Sequence, residues 1–277
     1  MLQQGSWIIK PQDQTRYQLE RKLGEGAFGE VWKARALYGG SFAVKILKKF
    51  TPSVFETWNN EVLIGLQANY HPHIVHMFDY FCDMQYSYYV IIMELANGSL
   101  ESSLATLQRA FSPGQVKRIG CQILSALDKL HNLPGPVLHR DVSVKNILHF
   151  NNGVYKLADF GISRQLKGVS PISVGKTCLQ NMVPPELISL GYTSTQSDIY
   201  QLGFVLLTLL LNRTPIGLDC SPEQIRILIG EGQPRQLAEQ LVGTHGKVAD
   251  CVSVMLRRRL EWRYQSAREA LAALSQC

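Results

Sequence analysis

The sequence predicts an α+β fold in two parts, a strand-rich N-terminal part followed by a mainly helical C-terminal part. Up to about residue 96, short β-branched and aromatic runs alternate with glycine-containing turns, which is the pattern of antiparallel strands. After Asn97-Gly98 the apolar residues recur every three or four positions over long stretches, which is helical spacing. The chain has 277 residues, 45% hydrophobic and 18% charged, and is therefore long enough to bury a full core.

The N-terminal part is expected to form an antiparallel sheet with one helix. Residues 1–16 are polar around a short apolar patch and are interpreted as a leader. Runs of strand-forming residues predict strands over 17–23, 30–36, 41–47, 74–81 and 88–93. Between the third and the fourth of these strands, apolar residues at helical spacing predict a helix over 53–67.

The C-terminal part is expected to consist mostly of helices. Ser112-Pro113 is a helix start signal, because serine caps a helix N-terminus and proline is tolerated in the first turn. That helix is predicted to end before Pro134-Gly135-Pro136. Further helices are predicted over 196–211, 222–230, 246–257 and 266–275. We place the boundary near Leu95–Asn97, which gives an N-lobe of 17–96 and a C-lobe of 97–277.

Charge, cysteine content and hydropathy argue against several classes of function. The net charge of +6 comes entirely from residues 97–277 and is scattered, so we expect no nucleic-acid partner. Six cysteines are present without a Cys-x-x-Cys pair, which argues against a zinc site or a disulfide framework and suits a reducing cytosol. The longest apolar run, 204–211, is too short to cross a bilayer, and the N-terminus does not resemble a signal peptide. A cytoplasmic protein without a membrane span is expected.

A glycine-rich loop occupies residues 24–29. The stretch Gly24-Glu25-Gly26-Ala27-Phe28-Gly29-Glu30-Val31 has the pattern G-x-G-x-x-G-x-V. Glycines let the backbone approach a phosphate chain closely, and the amide N–H groups can donate to it. A dinucleotide-binding loop would open a helix, whereas a strand is predicted to follow here, so a Rossmann fold is disfavoured.

A lysine in an apolar strand suggests a second phosphate-binding element. Lys45 ends the run Ala43-Val44-Lys45, 16 residues beyond the last glycine of the loop. A charge in such a strand needs a partner, and Glu61 on the predicted helix is the candidate. Such a pair would place an ammonium beside a polyphosphate. The alternative is an exposed lysine on an edge strand.

The most informative stretch is residues 139–146, His-Arg-Asp-Val-Ser-Val-Lys-Asn. It brings Asp141, Lys145 and Asn146 into one loop before a short predicted strand, and Asp159-Phe160-Gly161 follows one hairpin later. Asn146 and Asp159 supply the hard oxygen ligands that Mg²⁺ prefers. Seven fixed residues in this order would arise by chance roughly once in 10⁹ trials at ordinary residue frequencies.

Together, from about Arg16 to Ala273, these motifs resemble the eukaryotic-type (Hanks-type) Ser/Thr protein kinase family. The resemblance implies a bilobal protein-kinase-like fold, ATP with Mg²⁺ (Mn²⁺ being an alternative), and a protein substrate with a serine or threonine acceptor. The implied catalytic residues are Asp141, Lys145, Lys45 and Glu61, and the implied metal ligands are Asn146 and Asp159. In this reading Asp141 takes the proton of the acceptor hydroxyl, Lys145 lies against the γ-phosphate, and Lys45, paired with Glu61, contacts the α- and β-phosphates.

The resemblance also implies a nucleotide site. Its residues are Leu23, Gly24, Glu25, Gly26, Ala27, Phe28, Gly29, Val31, Ala43, Lys45, Met93, Glu94, Ala96 and Leu148. Met93 is similar to the gatekeeper, and residues 94–96 are similar to the hinge whose backbone holds adenine. Val31, Ala43 and Leu148 resemble the apolar positions on either side of the base.

Further similarities lie outside this site. Glu186 resembles the end of the activation segment and Arg263 resembles its ion-pair partner, while Asp198 resembles the helix aspartate that supports the catalytic loop. Lys145 within the loop is typical of the serine/threonine kinases. Residues 16–20, following closely on Gly5, resemble bacterial members more than animal ones.

Three features depart from the family pattern. Pro184-Pro185-Glu186 replaces Ala-Pro-Glu, and Gly175-Lys176-Thr177 lies about two residues upstream of the usual Gly-Thr. Gly65 replaces a bulky apolar residue of the helix, so that either Leu66 fills the space or the helix docks loosely.

Regulation by phosphorylation is a further expectation. Arg140 and Arg164 could bind a phosphate near the activation loop, so we predict phosphorylation, including autophosphorylation, at Ser170, Ser173 or Thr177. A constitutively ordered loop is the alternative. For the whole protein the alternatives are a pseudokinase that acts as a nucleotide-binding scaffold, and a small-molecule phosphotransferase on a related fold.

Overall fold

The computed structural model describes residues 2–26, 29–48, 51–83, 87–165, 172–173, 182–217 and 219–277; for 164–165 and 172–173 it describes the backbone only. The chain divides into two compact units. Unit 1 contains residues 1–97 and the short segment 159–162, and unit 2 contains residues 98–158 and 163–277. The predicted α+β class is confirmed.

Within the described part of unit 1, six strands and one helix are formed. They are β1 (Trp7–Ile9), β2 (Arg16–Gly26), β3 (Gly29–Ala36), β4 (Ser41–Lys48), α1 (Pro52–Ala68), β5 (Met77–Asp83) and β6 (Tyr88–Glu94). The strands make one antiparallel sheet in the order β1-β2-β3-β4-β6-β5. The sequence did not predict β1, whose Ile8 is buried; the segment interpreted as a leader therefore supplies an edge strand.

The two faces of this sheet carry different residues because side chains alternate along a strand. One face is apolar: its core includes Leu19, Trp32, Val44, Ile46 and Ile92. The other face of β4 carries Ala43 and Lys45. Register pairs Lys45 with Val31 on β3 and with Ile91 on β6, and pairs Ala43 with Met93. Four of the predicted nucleotide-site residues, Val31, Ala43, Lys45 and Met93, therefore share one face of the sheet.

Helix α1 packs on the face that carries Lys45. Thr51 caps the helix by accepting a hydrogen bond from Val54 N, and Val62 packs with Met77 and Ile91. The space beside Gly65 is filled by Met77, whose Cε would lie 3.1 Å from a Cβ at that position. Leu66 is 48% exposed, so of the two alternatives for this position the one in which Leu66 fills the space is wrong. A flexible thioether from the neighbouring strand replaces the missing volume instead.

Unit 2 is mainly helical. Its described helices are α2 (Leu100–Leu107), α3 (Pro113–His131), α4 (Pro185–Leu190), α5 (Thr195–Leu211), α6 (Pro222–Glu231), α7 (Gln233–Gln240), α8 (Val242–Met255) and α9 (Ala267–Ser275). Its short strands are β7 (Gly98–Ser99), β8 (Val137–Leu138), β9 (Ile147–His149), β10 (Tyr155–Leu157), β11 (Arg164–Gln165), β12 (Ile172–Ser173) and β13 (Tyr192–Thr193). Antiparallel pairs join β7 to β9, β9 to β10, β8 to β11 and β12 to β13.

Helix α5 forms the centre of unit 2. Every residue from Ser197 to Leu210 is buried, and the helix packs against α3 and α8. Gly120 on α3 allows this close packing, because a Cβ there would lie 2.5 Å from Leu274 and 2.9 Å from Leu206. A buried helix of this kind is a rigid support, so polar side chains on it are held in fixed positions.

Most predicted helices are present with shifted ends. Helix α8 begins at Val242, four residues before its predicted start, and Gly246 has a non-helical backbone inside it (φ 60°). The sequence did not predict α2, α4 or α7. The hairpin expected between residues 146 and 159 is formed by β9 and β10, and Asn152 and Gly153 between these strands are left-handed, with φ of 60° and 70°. None of the helices in the described part of the chain is long and apolar enough to cross a membrane.

Candidate active site

Lys45, Glu61 and Asp159 form a charged cluster in unit 1. The Lys45 ammonium lies 2.8 Å and 2.7 Å from the two carboxylate oxygens of Glu61, and 2.8 Å from Oδ1 of Asp159. The side chains of Lys45 and Glu61 are 11% and 5% exposed, whereas that of Asp159 is 47% exposed. The pairing of Lys45 with Glu61 that the sequence suggested is thus formed. The alternative of an exposed lysine on an edge strand is wrong, because Lys45 is buried and β4 lies between β3 and β6.

The electrostatics of this cluster follow from burial and proximity. Burial alone would lower the pKa of the Lys45 ammonium, but the Asp159 and Glu61 carboxylates raise that pKa above its ordinary value. Burial raises the pKa of the Glu61 carboxyl, and the ammonium opposes that rise. With all three groups ionised, two carboxylates face one ammonium. The cluster then carries a net charge of −1, which favours a bound cation.

The segment that carries Asp159 is held by local hydrogen bonds. Asp159 has φ of 66°, a left-handed backbone that is unusual for a residue with a side chain. Its Oδ1 accepts from Gly161 N at 3.2 Å, and Asn60 Nδ2 on α1 donates to Phe160 O at 3.3 Å. These bonds fix the Asp159 carboxylate beside Lys45 while leaving it open to solvent.

The glycine-rich loop is the turn between β2 and β3. Gly24 pairs with Val31 and Gly26 with Gly29, while Ala27 and Phe28 lie outside the described residues. A Cβ at Gly24 or Gly26 would meet nothing within 4 Å, so the backbone there is open to a ligand. A Cβ at Gly29 would lie 2.2 Å from the main-chain oxygen of Ile46. Gly29 is therefore required by the packing of its own strand against β4.

Two further predicted residues at the loop are exposed, and an unpredicted one is buried. Leu23 is 40% exposed, and Glu25 accepts from Lys22 at 2.6 Å.

Glu30 is buried and accepts hydrogen bonds from Trp32 Nε1, Lys22 Nζ and Lys48 Nζ, at 3.0, 3.1 and 2.7 Å. Burial alone would raise the pKa of Glu30, but the hydrogen bonds from Lys48, Trp32 and Lys22 lower it to about 2.

The predicted hinge follows β6. Glu94 ends that strand, and its carboxylate Oε1 accepts from His76 N at 2.7 Å. Its main-chain N donates to His76 O at 3.0 Å. Ala96 lies two residues beyond. Leu148, the remaining apolar residue of the predicted nucleotide site, is on β9 in unit 2.

Unit 2 contains the loop with Asp141, and helix α5 supports its backbone. The Asp198 carboxylate is fully buried and accepts from His139 N at 2.9 Å, from Arg140 N at 2.8 Å and from His131 Nε2 at 2.8 Å. Burial alone would raise the pKa of Asp198, but these hydrogen bonds and the nearby histidines lower it. Asp198 therefore supports the loop as its resemblance implied.

The loop residues themselves are positioned by short-range bonds. Asp141 N donates to His139 Nδ1 at 3.3 Å, and Asn146 Nδ2 donates to Asp141 O at 3.0 Å. His139 is buried, with Nε2 3.1 Å from Ala158 O, so it packs and hydrogen-bonds. Lys145 is 68% exposed and lies 3.8 Å from Glu101, a contact that sequence reasoning missed.

A buried ion pair holds Glu186, the residue that resembles the end of the activation segment. Arg263 Nη1 and Nη2 donate to Glu186 Oε1 and Oε2 at 3.0 and 3.1 Å, and Ser197 Oγ donates to Glu186 Oε1 at 2.6 Å. The predicted phosphorylation sites Ser170 and Thr177 lie outside the described residues. For Ser173 and Arg164 the backbone alone is described, so the regulatory expectation stays a prediction.

The two predicted metal ligands, Asp159 in unit 1 and Asn146 in unit 2, each have an oxygen atom suited to a divalent cation. The Asp159 carboxylate is exposed and belongs to a cluster with one excess negative charge. Because the amide nitrogen of Asn146 is used in the bond to Asp141 O, the amide oxygen is the atom suited to ligate a cation. Carboxylate and amide oxygens are ligands that Mg²⁺ accepts.

Comparison with known proteins agrees with this chemistry. The family model for the protein kinase domain matches residues 17–271. "Serine/threonine-protein kinase PLK4" of Drosophila ananassae is 28% identical over 249 residues, which cover 87% of this chain and 31% of that protein. The protein of the same name from Xenopus tropicalis is 30% identical over 202 residues, covering 71% of this chain and 21% of that protein. "U-box domain-containing protein 70" of Oryza sativa subsp. japonica is 36% identical over 208 residues, covering 71% of this chain and 25% of that protein.

The matched residues cover most of this chain but only a small part of each relative. The chain spans about a third or less of the length of these relatives. The three relatives come from two animals and a plant, so the similarity of residues 16–20 to bacterial members stays a prediction. The predicted bounds of the leader and the two lobes stay predictions as well.

Proposed function

Because the chain belongs to the protein kinase family, we propose that it is a serine/threonine protein kinase that transfers the γ-phosphate of ATP to serine and threonine hydroxyls of a protein substrate. The observation that carries the proposal is the cluster of Lys45, Glu61 and Asp159, with all contacts at 2.7–2.8 Å. A lysine fixed by a buried glutamate and adjoining an exposed aspartate suits the binding of a metal–polyphosphate complex. The names of the PLK4 relatives support the choice of serine and threonine as acceptors.

In this proposal the residues of unit 1 bind the nucleotide. At Gly24 and Gly26, where the backbone is open, main-chain N–H groups donate hydrogen bonds to phosphate oxygens. Lys45 contacts the α- and β-phosphates, and Glu61 keeps its ammonium in place. Val31, Ala43 and Met93, on the same sheet face as Lys45, offer an apolar surface to the adenine ring, and the backbone of residues 94–96 supplies its hydrogen bonds.

Asp159 and Asn146 are the proposed metal ligands. Mg²⁺ bound there would neutralise phosphate charge during the transfer. Each proposed ligand is held within its own unit: Gly161 N and the Lys45 ammonium donate to Oδ1 of Asp159, and the Asn146 amide nitrogen donates to Asp141 O. Pre-organised ligands reduce the conformational entropy that binding would otherwise cost.

Asp141 and Lys145 act on the acceptor side. Asp141 accepts the proton of the attacking hydroxyl as the new O–P bond forms and the bond between the γ-phosphorus and the bridging oxygen breaks, with ADP as the leaving group. The backbone of the Asp141 loop is fixed from α5. Lys145 lies against the γ-phosphate. An exposed ion pair at 3.8 Å is worth less than about 1 kcal/mol, so Lys145 can leave Glu101 when a phosphate is present. Autophosphorylation within 170–177 and a cytoplasmic location belong to the same proposal.

The test is phosphoryl transfer from Mg·ATP to dephosphorylated casein and to the chain itself, with mass spectrometry of the products. Asp141→Asn removes the base and is expected to lower kcat by about 10²–10⁴-fold while nucleotide binding is retained. Asp128→Asn is the matched control, because Asp128 contacts Arg268 at the surface of α3 and α9 and is expected to keep full activity.

The outcomes separate the alternatives. Serine or threonine phosphate that disappears in Asp141→Asn supports the proposal. Nucleotide binding with no transfer by the unaltered chain would refute it in favour of the pseudokinase. Transfer to a small molecule, with no protein labelled, would favour the phosphotransferase.

A further inference from the structure

Gln201 on α5 makes two hydrogen bonds with the loop of residues 139–146, which contains Asp141. Its side chain is buried, 1% exposed, one turn after Asp198. The amide oxygen Oε1 accepts from Val142 N at 3.2 Å, and the amide nitrogen Nε2 donates to Arg140 O at 3.0 Å. These two main-chain groups belong to the residues on either side of Asp141.

Gln201 and Asp198 bind different main-chain groups of the same loop. Asp198 accepts from His139 N and Arg140 N. A carboxylate can only accept, so Asp198 cannot bind the carbonyl of Arg140. The amide of Gln201 has both a donor and an acceptor, and it therefore binds one group of each kind. Helix α5 thus holds four main-chain groups of residues 139–142.

The bond to Arg140 O matters because of the local backbone. Arg140 has φ of 69°, a left-handed conformation that residues with a side chain rarely adopt and that surrounding contacts must hold in place. The peptide group after Arg140 leads directly into Asp141. If that peptide rotates, the Asp141 side chain changes direction.

We propose that Gln201 is a positioning residue for Asp141: by binding the Arg140 carbonyl and the Val142 N–H, it fixes the direction of the proposed catalytic carboxylate. This inference rests on the proposed function, since Asp141 needs positioning only if it acts on a substrate hydroxyl. Gln201 acts through the backbone and does not touch the reacting atoms.

The first test replaces Gln201 by leucine, which has a similar volume and no polar atoms. Because small misplacements of a catalytic group are costly, Gln201→Leu is expected to lower kcat about 10- to 100-fold, with KM for ATP nearly unchanged. Gln196→Leu is the matched control. Gln196 is on the same helix, and its Nε2 donates to Leu260 O at 2.7 Å and Tyr264 O at 3.3 Å, away from the loop. It is expected to keep the wild-type kcat.

The second test uses Gln201→Glu, which changes only the amide to a carboxyl. The ionised carboxylate accepts from Val142 N but repels Arg140 O, whereas the protonated carboxyl can make both bonds. The ratio of its kcat to that of the wild type is therefore expected to rise as the pH is lowered. The titratable and charged groups around this position are Asp198 on α5, His139, Arg140 and Asp141 in the loop, and His131 at the end of α3, which binds Asp198. At each pH the kcat of Gln201→Glu is divided by the wild-type kcat, so that effects of these groups that are common to both proteins cancel.

The outcomes distinguish this inference from the proposed function. Loss of kcat in Gln201→Leu, retained kcat in Gln196→Leu and recovery of Gln201→Glu at acidic pH support a positioning role. Full kcat in Gln201→Leu, or a constant Gln201→Glu ratio at every pH, overturns it while the kinase proposal stands. If Gln201→Leu does not fold, the Gln201→Glu profile decides. An unaltered chain that transfers no phosphate refutes the proposed function, and the positioning role falls with it.

Discussion

Removing one partner of the ion pair between Glu186 and Arg263 is expected to destabilise the C-terminal unit strongly. Both side chains are almost completely buried, at 2% and 0% exposure. The guanidinium meets the carboxylate with two parallel hydrogen bonds at 3.0 and 3.1 Å, lies over the ring of Tyr200, and also donates to Arg257 O and Gln196 O. The perturbation is Arg263→Leu, which removes the charge and all donors.

The magnitude follows from what is left behind. Breaking a buried pair leaves an uncompensated charge and typically costs about 3–5 kcal/mol. The two main-chain oxygens that lose their donors add about 1 kcal/mol. We therefore expect Arg263→Leu to lower the free energy of unfolding by about 4–6 kcal/mol, a large part of the total of a typical domain. Arg263→Lys keeps the charge but loses the paired geometry, and about half that cost is expected.

The assay is urea unfolding followed by far-UV circular dichroism at 15 °C. Arg268→Leu is the control, because Arg268 also pairs with a carboxylate, Asp128 at 3.1 Å, but is 75% exposed and should contribute less than about 1 kcal/mol. Glu186→Leu/Arg263→Leu removes both charges and is expected to cost less than the two single changes added together. If Arg263→Leu shifts the urea midpoint no more than Arg268→Leu, with equal slopes, the reasoning is refuted.

Three further predictions concern unit 1 and use the same unfolding assay. Lys45→Met leaves the buried Glu61 carboxylate without its cation, so the pKa of Glu61 rises further. The loss in free energy of unfolding relative to wild type should therefore grow from pH 5 to pH 8. An equal loss at both pH values would contradict this. Glu30 has a pKa of about 2 against an ordinary 4.5, so its contribution to the free energy of unfolding is present above pH 4.5 and is lost as the pH falls towards 2. In Glu30→Gln the decrease in the free energy of unfolding between these pH values should be smaller than in wild type by about 1–2 kcal/mol. An unchanged pH dependence would count against this. Gly29→Ala, whose Cβ would lie 2.2 Å from a main-chain oxygen, should lose about 1–3 kcal/mol while Gly26→Ala loses little; equal effects would rule out the packing role.

Elements with a strong local pattern were predictable from the sequence. Helix α3 follows from Ser112-Pro113 and regular apolar spacing, and the structure has the capping box in which Ser112 and Gln115 satisfy each other's main-chain N–H groups. Helix α2 has leucines at helical spacing, at 100, 104 and 107, but it is only eight residues long and three of its residues, Ser102, Ser103 and Thr106, are weak helix formers. It forms because Ser99 and Ser102 cap its start. Strand β1 is three residues long and depends on its pairing with β2.

Two ion pairs were predictable because the family resemblance supplied both partners, and for Lys45 the need of a charge in an apolar strand for a partner had already suggested Glu61. Lys45 and Glu61 are 16 residues apart, and Glu186 and Arg263 are 77 apart; no spacing rule pairs them. Gln201 was missed for the same physical reason. Its partners are main-chain groups 59 and 61 residues away. Nearly every residue has the same main-chain groups, so no particular residue type at positions 140 and 142 signals these bonds in the sequence.

The two residues that set the direction of the proposed catalytic groups have the least predictable backbone. Arg140 and Asp159 are left-handed, with φ of 69° and 66°, although neither is glycine. Each conformation costs about 1–3 kcal/mol, so local preference predicts the opposite of what is observed. The cost is offset by bonds formed only in the folded chain: Asp198 and Gln201 at the first position, and the Gly161 N–H and the Lys45 ammonium at the second. Since all of these supports except the Gly161 N–H come from distant parts of the sequence, weakening a support rather than the strained residue is the change that should release the backbone and misdirect the carboxylate.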